Sequence, residues 1–213
     1  GLIRQYSLCN SPLENNRYVL GVKRDPQSRG GSNCMHDVLK VGSELKISVP
    51  RNNFPLCQEA SHSVLIAGGI GITPLISMAH ELSAKNASWH LFCSFKNRSE
   101  VALSGQFESS KVHLHIEDES QSEYLNVASI LANAPQGSHY YCCGPEPMLH
   151  ALCKLALENN TPCHVSLESP MACGLGICFS CVVKVKTEAE GGWDYKRICV
   201  DGPVFNAETL VLE

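Results

Sequence analysis

The chain has 213 residues, of which 44% are hydrophobic and 18% are charged, and its formal net charge is −4. This length and composition allow a substantial core in one or two domains. Because there is no basic excess and no run of five like charges, no nucleic-acid partner is expected. The longest apolar stretch, residues 63–79, is interrupted by glycines and a proline, so no membrane span is expected either.

Twelve cysteines are many for a chain of this length. Several lie inside apolar segments, where a reduced cysteine behaves as a small hydrophobic side chain. No secretory signal opens the sequence. We therefore expect a cytoplasmic protein with reduced thiols rather than a disulfide framework.

Residues 1–58 form the first predicted unit, with β-strand patterns at residues 3–9, 17–24 and 44–50 between turn-rich segments. This arrangement is typical of antiparallel β structure. A closed antiparallel barrel usually needs about five or six strands. The sequence therefore predicts a partial antiparallel β-barrel whose opening strands are missing.

From residue 61 to residue 168, strand-like and helix-like segments alternate. Strands are predicted at 62–69, 89–95, 111–117, 139–145 and 163–169, and helices at 74–85, 99–107, 125–134 and 147–160. The longest helices are apolar on one face, so each can cover one face of a sheet. The predicted fold class is α/β plus all-β, with a doubly wound parallel-sheet nucleotide-binding domain at residues 59–162.

The third predicted unit, residues 163–213, is a small segment with two β candidates, at 181–186 and 194–200. The run EGG at residues 190–192 is expected to be the hairpin turn between them. The rest of this unit is predicted to be an irregular tail.

Four cysteines in the third unit have a spacing that suits an inorganic cluster. Cys173, Cys178 and Cys181 follow the pattern C-x4-C-x2-C, and Cys199 comes later in the chain. This is the plant-type spacing for a [2Fe–2S] cluster, and Gly174 and Gly176 would allow the tight turns of a loop around it. A structural zinc site is the alternative, although such sites usually draw their cysteines from two separate C-x2-C pairs.

A glycine-rich turn, AGGIGITP at residues 67–74, joins a predicted strand to a predicted helix. Backbone N–H groups and the positive end of the helix would cradle a pyrophosphate there. The run CCGPEPM at 142–148 ends a later parallel strand, so it would lie beside this turn at the carboxyl edge of the sheet, where ligands bind. The turn departs from the G-x-G-x-x-G fingerprint, and a purely structural turn is the alternative.

The segments RQYSL at residues 4–8 and RGGS at 29–32 suggest a second ligand site. Arg4 can pair with a phosphate, Tyr6 can stack on a flat ring, and Ser7 can form a hydrogen bond to the edge of that ring. The alternative is an ordinary exposed strand, in which case Gly30 and Gly31 only turn the chain.

Taken together, RQYSL, RGGS, GGIGITP and CCGPEPM resemble the ferredoxin-reductase superfamily, in which a flavin-binding β-barrel precedes a nicotinamide-nucleotide domain. Over about residues 1–160 the chain is similar to the phthalate dioxygenase reductase and vanillate demethylase reductase group. The C-terminal part is instead similar to the electron-transfer subunit of dihydroorotate dehydrogenase. In that subunit, a small cluster-binding segment directly follows the nucleotide domain.

The resemblance implies two cofactor sites besides the cluster. Arg4, Tyr6 and Ser7 would contact a flavin, either FAD or FMN, with Gly30, Gly31 and Ser32 at its phosphate. The residues implied to line an NAD(P)H site are Gly68, Gly69, Gly71 and Thr73, with Cys143 and Gly144 beside the nicotinamide. The dioxygenase reductases tend to have an arginine where this chain has Phe95. Because Lys96 or Arg98 could replace it, the choice between NADH and NADPH stays open.

The expected function is electron transfer from NAD(P)H through a flavin to a [2Fe–2S] cluster, and from there to or from a protein partner. That partner would be an oxygenase component or the catalytic subunit of dihydroorotate dehydrogenase. No side chain is expected to act as a general acid or base, and the nine histidines are interpreted mostly as surface or packing residues. The alternative is a non-enzymatic iron–sulfur or zinc module that senses redox state or scaffolds a partner.

Overall fold

The computed structural model describes residues 3–120, 124–169, 171–188 and 191–211. Its helices and strands, in chain order, are α1 (Gly31–Asn33), β1 (His62–Gly68), α2 (Ile72–Ala84), β2 (Trp89–Phe95), β3 (Val112–Ile116), α3 (Val127–Asn133), β4 (Ser138–Cys143), α4 (Glu146–Glu158), β5 (Cys163–Ser166), β6 (Val182–Lys186), β7 (Trp193–Arg197) and β8 (Val204–Asn206). A single π-helical turn, Cys34–Val38, follows α1. In this described part of the chain, no helix is both long and apolar enough to cross a membrane.

The centre of the molecule is a six-stranded sheet in the order β3-β2-β1-β4-β5-β8. The first five of these strands are parallel, and β8 joins β5 in the antiparallel direction. Because the chain moves outward from β1 in one direction and from β4 in the other, the strand order reverses between β1 and β4. The predicted doubly wound sheet is confirmed, and its switch point, the place where sheets of this kind usually bind their ligands, lies at the carboxyl ends of these two strands.

Helices cover both faces of the sheet because side chains alternate along each strand. On β1, Leu65 and Ala67 pack in one core with the apolar side chains of α2. Val64 and Ile66 face the opposite core, which contains the apolar side chains of α3 and α4. These two cores hold the sheet rigid beneath its carboxyl edge.

Residues 3–58 differ most from the prediction. None of the three predicted strands forms a ladder; the first two meet only at the isolated antiparallel bridge Leu8↔Leu20, where the Cys9 N–H donates to the Val19 carbonyl at 2.8 Å. Apolar side chains in the third, among them Leu45, Ile47 and Val49, are exposed. A strand is stabilised by neighbours at its edges, and three strands provide too few for a closed barrel.

The second difference is at residues 99–107, where a helix was predicted. The structure has two short 3-10 turns there, Arg98–Glu100 and Ser104–Gln106, with Leu103 at a φ of 62° between them. A left-handed residue interrupts the backbone hydrogen bonds of an α-helix. Val101, Leu103 and Phe107 still pack against the core on the α2 side, which explains the apolar pattern.

The C-terminal residues pack against the core on the α4 side. As predicted, β6 and β7 form an antiparallel hairpin in which Lys186 pairs with Trp193, and the predicted turn residue Glu190 lies outside the described residues. Val185 and Ile198 join the core of α4. The prediction of an irregular tail is wrong at β8, which is only three residues long and pairs with β5.

Five of the nine histidines lie at the amino ends of the parallel strands, where they form two clusters on opposite faces of the sheet. His62 Nε2 is 3.2 Å from His90 Nδ1, and the His113 ring lies 5.4 Å from the His90 ring. On the other face, His139 Nε2 is 3.0 Å from His164 Nδ1. The interpretation of most histidines as surface or packing residues fits the position of these five. The contacts between their rings were not predicted from the sequence.

Candidate functional site

The predicted nucleotide-binding residues meet at the switch point of the sheet. Residues 69–71 form a 3-10 turn between β1 and α2, and no side chain caps the amino end of α2. The Ile72 N–H donates to the Gly69 and Ile70 carbonyls, so α2 continues directly from the 3-10 turn, and the positive end of the helix lies at this turn, where it would favour an anion.

Three of the predicted glycines make the carboxyl ends of β1 and β4 pack closely. A Cβ on Gly71 would lie 2.1 Å from the Cys143 carbonyl oxygen, and one on Gly144 would lie 2.9 Å from the Gly68 nitrogen. Gly68 in turn lies against Pro145, at 2.3 Å from an added Cβ. These positions require glycine for packing, whatever they bind.

Gly69 is different, because an added Cβ would have no atom within 4 Å, although its φ is 53°. The backbone at this residue is therefore open to a ligand on the side that a side chain would occupy. The residues present fit a pyrophosphate at this turn.

Thr73 and Cys143 are placed at the switch point but are largely enclosed. The Thr73 hydroxyl donates to the Ile70 carbonyl at 3.0 Å, which braces the glycine-rich turn. Burial raises the pKa of the Cys143 thiol to about 12, so this group stays protonated at neutral pH. Neither group is prepared to act as an acid or a base.

Of the two basic residues that follow β2, Lys96 and Arg98, the second already has a carboxylate partner. Arg98 donates to both carboxylate oxygens of Glu119, from Nε at 2.8 Å and from Nη2 at 2.5 Å. Glu117 and Asp118 lie beside that pair at the end of β3. The 2′-phosphate of NADPH would have to compete with Glu119 for Arg98, whereas NADH, which has a 2′-hydroxyl group there, would not.

The predicted flavin residues lie together in the amino-terminal segment, which we define as residues 3–58. The Arg4 side chain crosses Gly31, so that a Cβ on Gly31 would be 2.8 Å from Arg4 Nε. Ser32 Oγ accepts a hydrogen bond from the Asp25 N–H at 3.1 Å, and Tyr6 and Ser7 are exposed. The residues present thus fit a phosphate near Arg4 and a ring near Tyr6.

The cysteine loop, defined as residues 171–181, turns sharply at Gly174 and Gly176, which have φ values of 66° and 77°. A Cβ on Gly176 would lie 2.6 Å from Val200 Cγ2. The Arg197 guanidinium holds the loop by donating to the Gly176 carbonyl at 3.1 Å. These contacts bring the loop against the turn that carries Cys199.

The four predicted cluster cysteines form two pairs. The thiol of Cys178 contacts that of Cys173, and the thiol of Cys181 contacts that of Cys199. The second pair is buried, whereas Cys178 is exposed. Two cysteines on each of two irons is the arrangement of a [2Fe–2S] cluster with four cysteine ligands.

Backbone N–H groups point at the sulfurs of this loop. The Leu175 N–H donates to Cys173 Sγ at 3.3 Å, and hydrogen bonds from Leu175, Cys178 and Ile177 lower the pKa of the Cys173 thiol to about 6. Thiolate ligands are favoured by such donors. Among the described residues, no group of three or more histidine, cysteine or acidic side chains is arranged to hold a single metal ion. Four cysteines in two pairs, with backbone N–H groups directed at a sulfur, fit a two-iron cluster.

The amino-terminal segment contacts both other sites. Gln5 Nε2 donates to the Cys199 carbonyl at 3.1 Å, and Arg29 Nη2 donates to the Met171 carbonyl at 2.7 Å. On its other side, a Cβ on Gly21 would lie 2.7 Å from Thr73 Cγ2. The predicted flavin residues therefore belong to a segment that lies between the glycine-rich turn and the cysteine loop. Sequence reasoning missed Gln5 and Arg29, since no motif marks a contact between distant segments.

A doubly wound nucleotide domain next to a four-cysteine loop is typical of iron–sulfur reductases related to ferredoxin reductases. Comparison with known proteins confirms that this chain belongs to that family. Residues 168–211 match the family described as the iron-sulfur cluster binding domain of dihydroorotate dehydrogenase B. The chain is 45% identical over 170 residues to phenoxybenzoate dioxygenase subunit beta of Ectopseudomonas oleovorans, covering 79% of this chain and 53% of that protein.

Two further similar proteins are also an oxidoreductase and a reductase. Vanillate O-demethylase oxidoreductase of Pseudomonas putida is 44% identical over 149 residues, which cover 68% of this chain and 47% of that protein. The crystal structure of phthalate dioxygenase reductase, described as modular for electron transfer from pyridine nucleotides to [2Fe–2S], is 28% identical with a TM-score of 0.68. It covers 92% of this chain, which in turn spans 79% of that structure. The chain spans about half the length of the two curated relatives.

Proposed function

We propose that this chain carries electrons in an NAD(P)H-dependent iron–sulfur flavoprotein reductase. The proposal depends most on one observation, the position of the amino-terminal segment between the glycine-rich turn and the cysteine loop. Nicotinamide gives two electrons at once and a [2Fe–2S] cluster takes one, so a flavin in the middle supplies the conversion between them. The proposed units are residues 1–58, 59–162 and 163–213, with β5 and β8 joining the last unit to the sheet of the second.

In this proposal, the protein binds and positions its cofactors rather than moving protons. Gly69 and the amino end of α2 would hold the pyrophosphate, while Gly68, Gly71 and Gly144 keep the strand ends close together. Arg4 and Gly31 would hold the flavin phosphate. Cys173, Cys178, Cys181 and Cys199 would hold the cluster. The ion pair of Arg98 and Glu119 would favour NADH over NADPH, because the Arg98 guanidinium already donates to both carboxylate oxygens of Glu119.

A protein partner is supported by the surface around the cysteine loop. Leu175, Ile177 and Phe179 are all more than half exposed beside the exposed Cys178. Apolar side chains grouped on a surface are typical of protein interfaces. Among partner classes, we favour an oxygenase component over a dihydroorotate dehydrogenase subunit, since the relatives named for oxygenase systems match a longer part of the chain.

The visible absorption spectrum of anaerobically purified protein tests this function. Flavin bands together with the broad absorption of a cluster are the expected result. Cluster absorption without flavin would indicate a protein that holds only a nucleotide and a cluster. A colourless protein that contains zinc would support the alternative of a non-enzymatic scaffold or sensor. Coupled turnover of NADH with a Rieske-type oxygenase, compared with a dihydroorotate dehydrogenase catalytic subunit, then distinguishes the two partner classes.

A further inference from the structure

We propose that Gln5 is a positioning residue for electron transfer between the flavin and the cluster, because it holds the backbone of the cluster ligand Cys199. This inference rests on the proposed function. Gln5 belongs to neither set of predicted ligands, yet it lies between Arg4 and Tyr6 in the chain. Its side-chain amide reaches a residue 194 positions away.

Neighbouring side chains in this stretch reach different sites. Arg4 crosses Gly31, on the side of the expected flavin phosphate. Gln5 instead donates from Nε2 to the Cys199 carbonyl at 3.1 Å. One short stretch of backbone thus touches both cofactor sites, so any shift of this stretch changes the distance between them.

One further hydrogen bond holds the same segment against the cysteine loop, and Ile3 lies near that loop at Gly174. Arg29 donates to the Met171 carbonyl at 2.7 Å, two residues before Cys173. A Cβ on Gly174 would lie 4.0 Å from Ile3 Cγ2. Of these contacts, only that of Gln5 is made to a cluster ligand itself. Hydrogen bonds made to the residues that hold a metal orient those ligands and change the properties of the metal centre.

The amide also has an electrostatic effect. The Gln5 NH2 group places the positive end of a dipole beside Cys199, and that favours the reduced, more negative form of a cluster. The bond is made to the Cys199 carbonyl oxygen and not to a sulfur, so it acts on the cluster through this dipole and through the position of Cys199. Removal of this donor should therefore lower the midpoint potential as well as loosen the Cys199 backbone.

The test compares Gln5→Met, which keeps the length but loses the donor, with Gln5→Lys, which restores an N–H donor. Gln136→Met, an exposed position before β4, is the matched control. Anaerobic stopped-flow mixing with NADH follows flavin bleaching and cluster reduction separately. In Gln5→Met we expect unchanged flavin bleaching, full iron content, and cluster reduction about 2- to 10-fold slower, the range that corresponds to one net hydrogen bond. Gln5→Lys should recover most of the rate, and Gln136→Met should match the parent protein.

A potentiometric titration with dithionite is the second measurement, in which the electron paramagnetic resonance signal of the reduced cluster is followed separately from the flavin. We expect a lower midpoint potential in Gln5→Met than in the parent protein, and Gln5→Lys is left out of this comparison because its added positive charge raises the potential by itself. Cluster reduction at the parental rate in flavin-loaded, iron-loaded Gln5→Met would overturn the inference. Loss of iron in both Gln5 variants would overturn it too, since Gln5 would then be a structural support. Parent protein that binds no flavin would instead refute the proposed function, and with it the inference.

Discussion

A substitution at Gly69 tests the nucleotide site most selectively. Gly69 has a φ of 53°, and an added Cβ would meet no atom within 4 Å. The Cβ of Gly69→Val therefore meets no atom of the protein. It costs about 1–2 kcal/mol for a left-handed L-residue and places two methyl groups where the pyrophosphate would approach the backbone.

We expect the variant to bind NADH about 1–3 kcal/mol more weakly, the usual range for steric and strain penalties. This corresponds to a dissociation constant about 5- to 150-fold higher. Isothermal titration of the oxidised protein with NAD+, which binds without transferring electrons, measures the change, and iron content should stay the same. The matched control is Gly42→Val, since Gly42 also has a positive φ, 89°, and nothing within 4 Å of an added Cβ.

Gly71→Ala is a variant that should disturb the packing of the strand ends, in contrast to Gly69→Val, which should disturb nucleotide binding. Its Cβ would lie 2.1 Å from the Cys143 carbonyl oxygen, so we expect a loss of folding stability of about 1–3 kcal/mol or more. Unchanged NADH affinity in a folded Gly69→Val protein would refute the placement of the nucleotide. An equal loss of affinity in Gly42→Val would show that the effect is general rather than local.

Two other predictions concern the flavin and the histidine pairs. Arg4→Ala should release flavin on gel filtration, seen as lost flavin absorbance in the protein peak, whereas Arg51→Ala should keep it; equal retention in both would contradict a phosphate contact at Arg4. Burial lowers the pKa of His62 and His90, so at acidic pH the folded protein binds fewer protons than the unfolded chain. The free energy of unfolding should therefore be highest above the ordinary histidine pKa of about 6.5 and should fall as the pH drops below it. Urea unfolding between pH 7.5 and 5.5 measures this loss, which should be smaller in His90→Gln; an identical loss in that variant would contradict the assignment.

The parallel sheet could be predicted because its strands are short apolar runs separated by amphipathic helices. Each of the five predicted parallel strands appears in the structure, and the strand order follows the doubly wound pattern. The helix at 99–107 failed because its apolar residues serve a loop that packs on the core. β8 was missed because three residues give no readable period.

The candidate site divides in a similar way. Cysteine spacing and glycine runs are local signals, so the cysteine loop and the glycine-rich turn could be found in the sequence. Contacts between distant segments could not, because nothing in RQYSL indicates that Gln5 reaches Cys199. Which glycines are needed for packing also depended on tertiary contacts, since Gly69 and Gly71 look equivalent in the sequence.

The central claim is that Cys173, Cys178, Cys181 and Cys199 hold one [2Fe–2S] cluster. The most direct test is iron content and visible absorption of the four single Cys→Ser variants beside Cys163→Ala, since Cys163 is a buried core thiol in β5. Each of the four serine variants should lose or destabilise the cluster, and Cys163→Ala should keep it. Loss of the cluster in Cys163→Ala with retention in Cys199→Ser, or stoichiometric zinc without iron in anaerobically prepared protein, would contradict the account.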